Sequence, residues 1–193
     1  MITQRQKATQ ATKQRIAEAA LALFVEKGVD GTTTRDIATK AEISEGAMYR
    51  HFESKETLAD DLFLEEFKPF SKALAQLQEM DAPLAEKVDH MVRYVYQAFD
   101  ANPLLWKYVV TYQSGPWSKV PKGIATPVSV VAKMLEDARA KKEIEGSDIP
   151  LLTQLVIGLV TQPAIGVVFG EVELPLSPKR EQVVAAVVAV LGL

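Results

Sequence analysis

The chain has 193 residues, 48% hydrophobic and 24% charged, which suits one ordinary globular domain or two small ones and excludes a disordered chain. It contains no cysteine, so thiol catalysis, disulfide frameworks and cysteine-ligated zinc are excluded. A net charge of −3 argues against coating nucleic acid by bulk electrostatics, and the start, MITQRQKATQATKQR, has no apolar segment, which predicts no secretory signal and a cytoplasmic protein.

The charge is uneven. Residues 1–55 carry nine Lys/Arg against seven Asp/Glu, and residues 56–193 carry thirteen against eighteen, so the balances are +2 and −5. Arg5, Lys7, Lys13 and Arg15 precede any acid. Such a run is either a solvated tail or an arm that meets phosphate.

Read in chain order, the first expected helix is Thr12 to Lys27, with Ile16, Ala19, Ala20, Leu23 and Phe24 on one buried face and Gly28 just past its end. Thr33 followed by Asp36 opens a second, short helix as a capping-box variant, lined by Ile37, Ala38 and Ala41. Glu42 and Ile43 connect it to a third, from Ser44 to about Phe52. Ser54 caps a fourth, striped by Leu58, Leu62, Phe63 and Phe67 and expected to end before Pro69. Further helices are expected from Pro83 to Phe99 (Val88, Met91, Val92, Val95 and Phe99 inward), Leu104 to Gln113, Val128 to Lys142, Pro150 to Phe169 and Ser177 to Leu193. Residues 114–123, SGPWSKVPKG, read as a loop. The prediction is an all-α protein of about nine helices.

Two short helices joined by a tight turn, with a third across them, make a helix-turn-helix arrangement. On a helical wheel of residues 45–52, Met48 and Phe52 face inward, while Gly46, Ala47 and Arg50 face out with Tyr49 and His51 on the flanks. Small residues let a backbone approach, an arginine reaches a guanine edge, and Tyr49 and His51 reach phosphates or thymine methyls, so this face suits a major groove. Thr34, Ser44 and Lys55 sit at helix N-termini, whose free N–H groups suit phosphates. Helix-turn-helix units also serve purely as packing corners, and the pattern by itself leaves both readings open.

Residues 10–58 resemble the DNA-binding region of the tetracycline-repressor (TetR) family of bacterial transcriptional regulators. The resemblance is carried by Leu23-Phe24, Gly28, Thr33-Thr34, Asp36-Ile37-Ala38, Ala41, Ser44, Gly46, Tyr49, His51-Phe52, Ser54-Lys55-Glu56 and Leu58. It implies a DNA-binding helix-turn-helix domain over residues 1–54 and a helical effector-binding and dimerisation domain over 55–193. It also implies base or phosphate contacts from Thr34, Ser44, Gly46, Ala47, Tyr49, Arg50, His51 and Lys55. Two departures stand out. Glu42 occupies a place where the family often has a turn glycine, which implies a differently built turn. Glu45 stands where a lysine is frequent; an acid there repels phosphate yet can accept from a cytosine amino group, so it should bear on site preference.

The carboxy-terminal region carries less of the resemblance. Residues 149–170 hold no charge over 22 positions, long enough to span a membrane, but Thr153, Gln154, Thr161, Gln162 and Pro163 fit lipid poorly. The last helix is also apolar nearly all round. Such helices are expected to be buried against a second copy, giving a four-helix, two-fold interface formed by about 150–169 and 177–193. The resemblance implies the same homodimer, reading a palindromic DNA operator. It further implies a pocket for a small-molecule effector in the middle helices, with Met91, Tyr94, Trp106, Val109, Tyr112, Gln113 and Trp117 as lining candidates; for each of Met91, Trp106 and Val109 alone, a plain core position is the better reading. With few charges among them, and polarity left to the tyrosines, Gln113 or His90, a neutral and largely apolar effector is expected. The function implied is a ligand-responsive repressor.

Enzyme chemistry is not expected. There are two histidines, and neither a zinc-protease, a nucleophile-elbow nor a phosphate-loop pattern occurs. Asp60-Asp61 and Glu65-Glu66 read as a solvated helix face. No cofactor or metal site is expected.

Overall fold

In a computed structural model of the protein, the described residues are 4–112, 123–145 and 148–193. Among them there are nine α-helices and no strand: α1 (Gln4–Lys27), α2 (Thr34–Lys40), α3 (Glu45–Met48), α4 (Lys55–Gln78), α5 (Leu84–Ala101), α6 (Pro103–Thr111), α7 (Pro127–Ala140), α8 (Ile149–Val168) and α9 (Arg180–Leu191), the last preceded by a 3-10 turn at Ser177–Lys179. The described residues divide into two compact units. The first comprises residues 4–66 with Thr111 and Tyr112; the second comprises 67–110 and the described residues from 123 onward.

The first unit is built on α1 to α3 and the start of α4. Ile16, Ala20, Phe24, Ile37, Ala38, Met48, Phe52, Leu58 and Phe63 are all buried, as the helical spacing of the apolar residues requires. α1 begins at Gln4, eight residues before the start expected from its apolar stripe. The added turns, QRQKATQA, contain good helix formers and no apolar face, so propensity rather than packing makes them helical. Their described side chains are exposed.

The second unit has one hydrophobic core. Phe70, Leu74, Leu84, Val88, Met91, Val92, Tyr96 and Phe99 meet Val130, Met134, Leu135, Val156, Val167, Val187 and Leu191 there. α7 packs on α8, and α9 packs on both α5 and α8. A polar clasp fixes one end: the Lys87 ammonium, itself buried, donates to the Gln78 carbonyl at 2.6 Å, Gln78 donates to Asp137 at 2.8 Å, and Glu143 accepts the Leu84 N–H at 2.7 Å. Asp100 at the end of α5 accepts from the N–H groups of Leu176 (2.7 Å) and Ser177 (2.8 Å), which fixes the entry to α9.

One proline reading changes, and one holds. α4 runs through Pro69 to Gln78 instead of ending before it. A proline inside a helix loses the bond to the carbonyl four residues back, here that of Glu65. Glu65 and Pro69 are both exposed, so water can take that carbonyl, and burial of Phe70 and Leu74 outweighs the loss. α8 likewise continues through Pro163. α8 is long and apolar enough to cross a membrane, with a mean hydropathy of 1.8, yet only 28% of it is buried within the chain. Leu151 and Leu155 on α8 and Val190 on α9 are exposed at 56%, 45% and 41%.

Candidate nucleic-acid interface

The site is assembled from three helix starts. Thr33 caps α2 by a closed capping box: its hydroxyl accepts the Asp36 N–H at 3.1 Å, and the Asp36 carboxylate accepts the Thr33 N–H at 2.9 Å. Lys27 adds an ion pair to Asp36 at 2.8 Å. The hydrogen bond from Lys27 and those from Thr33 hold the Asp36 carboxyl well below the ordinary carboxylate range. Ser44 caps α3, accepting the Ala47 N–H at 3.2 Å, and Ser54 caps α4, accepting the Thr57 N–H at 3.0 Å.

The turn between α2 and α3 is a Schellman motif. The Glu42 N–H donates to the Thr39 carbonyl at 3.1 Å and the Ile43 N–H to the Ala38 carbonyl at 3.0 Å, with Glu42 at φ 55. The expectation of a differently built turn is therefore corrected: the left-handed geometry that glycine favours is present with glutamate in it. Lys142 stands in the same conformation, φ 61, at the end of α7.

α3 itself is short, Glu45–Met48, and residues 49–51 continue it as turns rather than as helix. The inward and outward faces fall as the wheel reading has them. Met48 and Phe52 are buried, Gly46 and Arg50 are exposed, and Ala47 and His51 are half-buried. Tyr49 is 53% exposed, and its hydroxyl donates to the Thr34 hydroxyl at 3.3 Å. That bond joins the first turn of α2 to the end of α3 in one polar edge. Gly46 has nothing within 4 Å of where a Cβ would stand and no left-handed φ. Neither packing nor backbone conformation calls for glycine there, and its effect is to keep the outer face of α3 low. Gly31 contrasts with it, since a Cβ there would run into the Lys27 carbonyl.

Lys13 extends this edge, its ammonium 5.4 Å from the centre of the Phe52 ring. In sequence Lys13 reads only as part of a basic run, because its contact with Phe52 spans 39 positions. Lys55 is not directed at open solvent. Its ammonium donates to the carbonyls of Val29 (2.8 Å), Thr32 (2.8 Å) and Asp30 (3.3 Å).

The residues expected around an effector fall in both units. Met91 is a buried core residue. Tyr94 and Trp106 meet on Phe70, with ring centroids at 5.4 and 4.4 Å, while Val109 is half-buried. Phe70, the centre of that aromatic group, is not among the expected lining residues; the expectation that α4 ends before Pro69 hides it. Tyr112 belongs to the first unit, where its hydroxyl donates to Asp60 at 3.3 Å and its ring meets Phe63 edge-on at 6.5 Å. Burial first, then the Asp60 charge, pushes its hydroxyl up to about 12. Asp60 is thus turned inward and only 9% exposed, while Asp61, Glu65 and Glu66 keep the solvated face expected of them. Gln113 and Trp117 lie outside the described residues. His90 accepts or donates through Nδ1 at 2.9 Å from the Glu86 carbonyl of its own helix. Among the described residues no cluster of histidine or carboxylate side chains suits a metal ion.

Comparison with known proteins places this geometry. Residues 16–62 match the model for bacterial regulatory proteins of the tetR family. Over 91 residues the chain is 35% identical to the transcriptional repressor KstR2 of Rhodococcus jostii, covering 45% of this chain and 43% of that one. It spans less than half the length of this and comparable curated repressors. Two solved structures share the fold across both units. One is the regulator FadR of Bacillus subtilis in complex with stearoyl-CoA (TM-score 0.74, 22% identity, 91% of this chain and 97% of that one). The other is a complex of SmeT with triclosan (TM-score 0.72, 19% identity, 93% and 90%). Residues 16–62 are thus the amino-terminal helix-turn-helix of bacterial regulatory proteins of the tetR family, within an all-helical fold that the two solved structures share.

Proposed function

We propose that the protein is a ligand-responsive, DNA-binding transcriptional regulator, a repressor that leaves a palindromic operator when a small, largely apolar effector binds. The observation that carries the reading is the outer face of α3. Gly46 is held open with no internal reason for glycine, and beside it stand exposed Tyr49 and Arg50. Low residues followed by an arginine let a helix enter a major groove and reach base edges. Thr34, Ser44, Tyr49 and His51 supply the phosphate contacts that set register. The domain division is then functional: residues 1–54 read DNA, and 55–193 bind effector and dimerise.

The exposed leucines of α8 and the valine of α9 support a homodimer through these two helices, because exposed apolar side chains on two adjoining helices invite a second copy. Two-fold pairing sets two reading helices roughly one helical turn, ~34 Å, apart. The aromatic group of Phe70, Tyr94 and Trp106 favours a largely apolar effector; of the proteins similar in fold, SmeT is held with triclosan and FadR with stearoyl-CoA, whose acyl chain is apolar while its coenzyme A part is anionic. Release requires that the effector bind the non-operator spacing of the dimer more tightly than the operator spacing. The reading is of a regulator and not of an enzyme, acting in the cytoplasm without a cofactor.

Selection of random duplexes by the purified protein at near-physiological salt tests this. An enriched inverted repeat is expected. Sequence-blind recovery with steep salt dependence would point instead to an architectural DNA-binding protein.

A further inference from the structure

Two glycines lie within α8, and one of them has no reason to be glycine inside its own chain. We infer that this residue, Gly158, is where the two copies of the homodimer meet backbone to backbone, each α8 crossing its counterpart at the two-fold axis. The inference rests on the homodimer reading above and adds to it the point of closest approach.

At Gly166, the other of the two, a Cβ would stand 2.7 Å from a Val172 methyl, so packing within the chain excludes a side chain. At Gly158 nothing lies within 4 Å of that position, and the backbone is not left-handed. The residue is exposed, with nine residues of the helix before it and ten after it. Glycine in a helix interior is less favourable than almost any other residue. What a bare backbone offers on an open helix face is close approach by another backbone.

The face around Gly158 says what approaches. Leu151, Gln154, Leu155, Gln162 and Phe169 are exposed with it, and their three- and four-residue spacing puts them on one side of the helix. Leu151, Leu155 and Phe169 are 56%, 45% and 73% exposed. Residues 149–170 carry no charge, so this face offers nothing to a nucleic acid or to a charged protein surface. The two glutamine amides fit lipid poorly, because hydrocarbon cannot satisfy them. A second copy answers every group. Apolar side chains meet apolar ones, and an amide, donor and acceptor at once, pairs with its own kind. In a two-fold contact the residue nearest the axis meets itself. A crossing at the midpoint of α8 covers both arms of the stripe alike, Leu151 and Leu155 on one side, Gln162 and Phe169 on the other. A crossing nearer either end would leave one arm in water.

The chain has no cysteine, so a single introduced one reports on a single position. Full-length Gly158→Cys, Leu151→Cys and Phe169→Cys are each treated with copper phenanthroline, and cross-linked dimer is scored over time on non-reducing gels. A disulfide needs Cα atoms about 4.4–6.8 Å apart, so Gly158→Cys should cross-link about tenfold faster than either of the others. Sedimentation equilibrium over a dilution series then compares the wild type with Gly158→Ala and Gly158→Leu. On an apolar face that is merely covered, an added leucine would strengthen pairing or leave it unchanged. At a backbone crossing it holds the helices apart, and the dimer dissociation constant should rise about tenfold for alanine and about a hundredfold for leucine. Circular dichroism should show wild-type helix content in both, since the space around the new side chain is open within the chain. If the leucine variant loses it, the alanine and cysteine variants decide. Faster cross-linking at Leu151→Cys or Phe169→Cys, or glycine replacements that pair as tightly as the wild type, would overturn the inference and leave the homodimer standing. A wild type that stays monomeric throughout the series would refute the homodimer reading, and the crossing with it.

Discussion

Glu42 makes the helix-turn-helix turn in a conformation that an L-residue adopts at a cost. At φ 55 its Cβ crowds the carbonyl oxygen, a penalty of roughly 1–2 kcal/mol that glycine does not carry. Glycine loses more chain entropy on folding, about 0.5–1 kcal/mol, so Glu42→Gly should stabilise the protein by a net ~0.5–1 kcal/mol, or ~1–4 °C in Tm for a chain of this size. Lys142 at φ 61 ends α7 by the same pair of bonds, from its own N–H to the Arg139 carbonyl and from Glu143 to that of Ala138. The two motifs share no partner, so Glu42→Gly and Lys142→Gly should add. Glu42→Ala separates the causes: it removes the charge and keeps the strained Cβ, and should bring no gain. Urea unfolding at one protein concentration, with circular dichroism as the signal, reads the wild type, the two single glycine variants, their double variant and Glu42→Ala. If Glu42→Ala stabilises as much as Glu42→Gly, the benefit is electrostatic and the backbone argument is refuted.

Four further outcomes are expected. Gly46→Ala, with open space around the new methyl, should leave stability unchanged or raised by up to ~1 kcal/mol, yet weaken operator binding about tenfold in a titration; equal affinity would remove the groove reading of α3. Asp36 has a folded-state carboxyl held well below the ordinary range, so its contribution is present above the unfolded value of about 3.9 and is lost as pH falls through the folded one. Asp36→Asn should accordingly flatten the acid limb of a Tm-versus-pH profile, and parallel profiles would contradict this. Leu155→Glu, at an exposed position of α8, should yield monomers in sedimentation velocity, because an unpaired carboxylate in an apolar interface costs several kcal/mol; an unchanged dimer would place the interface elsewhere. Neutralising Arg5, Lys7, Lys13 and Arg15 to glutamine should lower the salt slope by about 0.9 for each phosphate these residues neutralise, whereas a solvated tail would leave it as it was.

What the sequence displays clearly is what is local. Thr33 with Asp36, Ser44, and the pair Met48 and Phe52 sit within a few positions of the backbone they cap or bury, so caps and periodicity are sufficient to place α2, α3 and their outer face. Pro69 misleads because a proline's local cost is visible in sequence while the burial of Phe70 and Leu74 that offsets it is not. The first turns of α1 escape a reading by periodicity because they have propensity and no apolar face. Contacts across long separations are beyond its reach. Lys55 meets carbonyls 23 to 26 positions away, and Tyr112 meets Asp60 across 52; the type of each residue suggests a role, and only the fold supplies the partner. Glu42 is intermediate: the missing glycine is plain in the sequence, but flanking helices fixed from both sides hold the turn in shape regardless of the residue in it.

Tyr112 also bears on how such a regulator can be rebuilt. The chain leaves the first unit after Glu66, returns to it at Thr111 and leaves again, so the head is discontinuous in sequence. A chimera made by a single splice near residue 66 would carry a foreign residue opposite Phe63 and Asp60, with their edge-on ring contact and hydrogen bond left to chance. Transplanting the first unit onto another protein thus calls for two exchanged segments, the second as short as the stretch around Tyr112. On the ribosome, likewise, the head cannot complete its own contacts until more than half of the chain has been made.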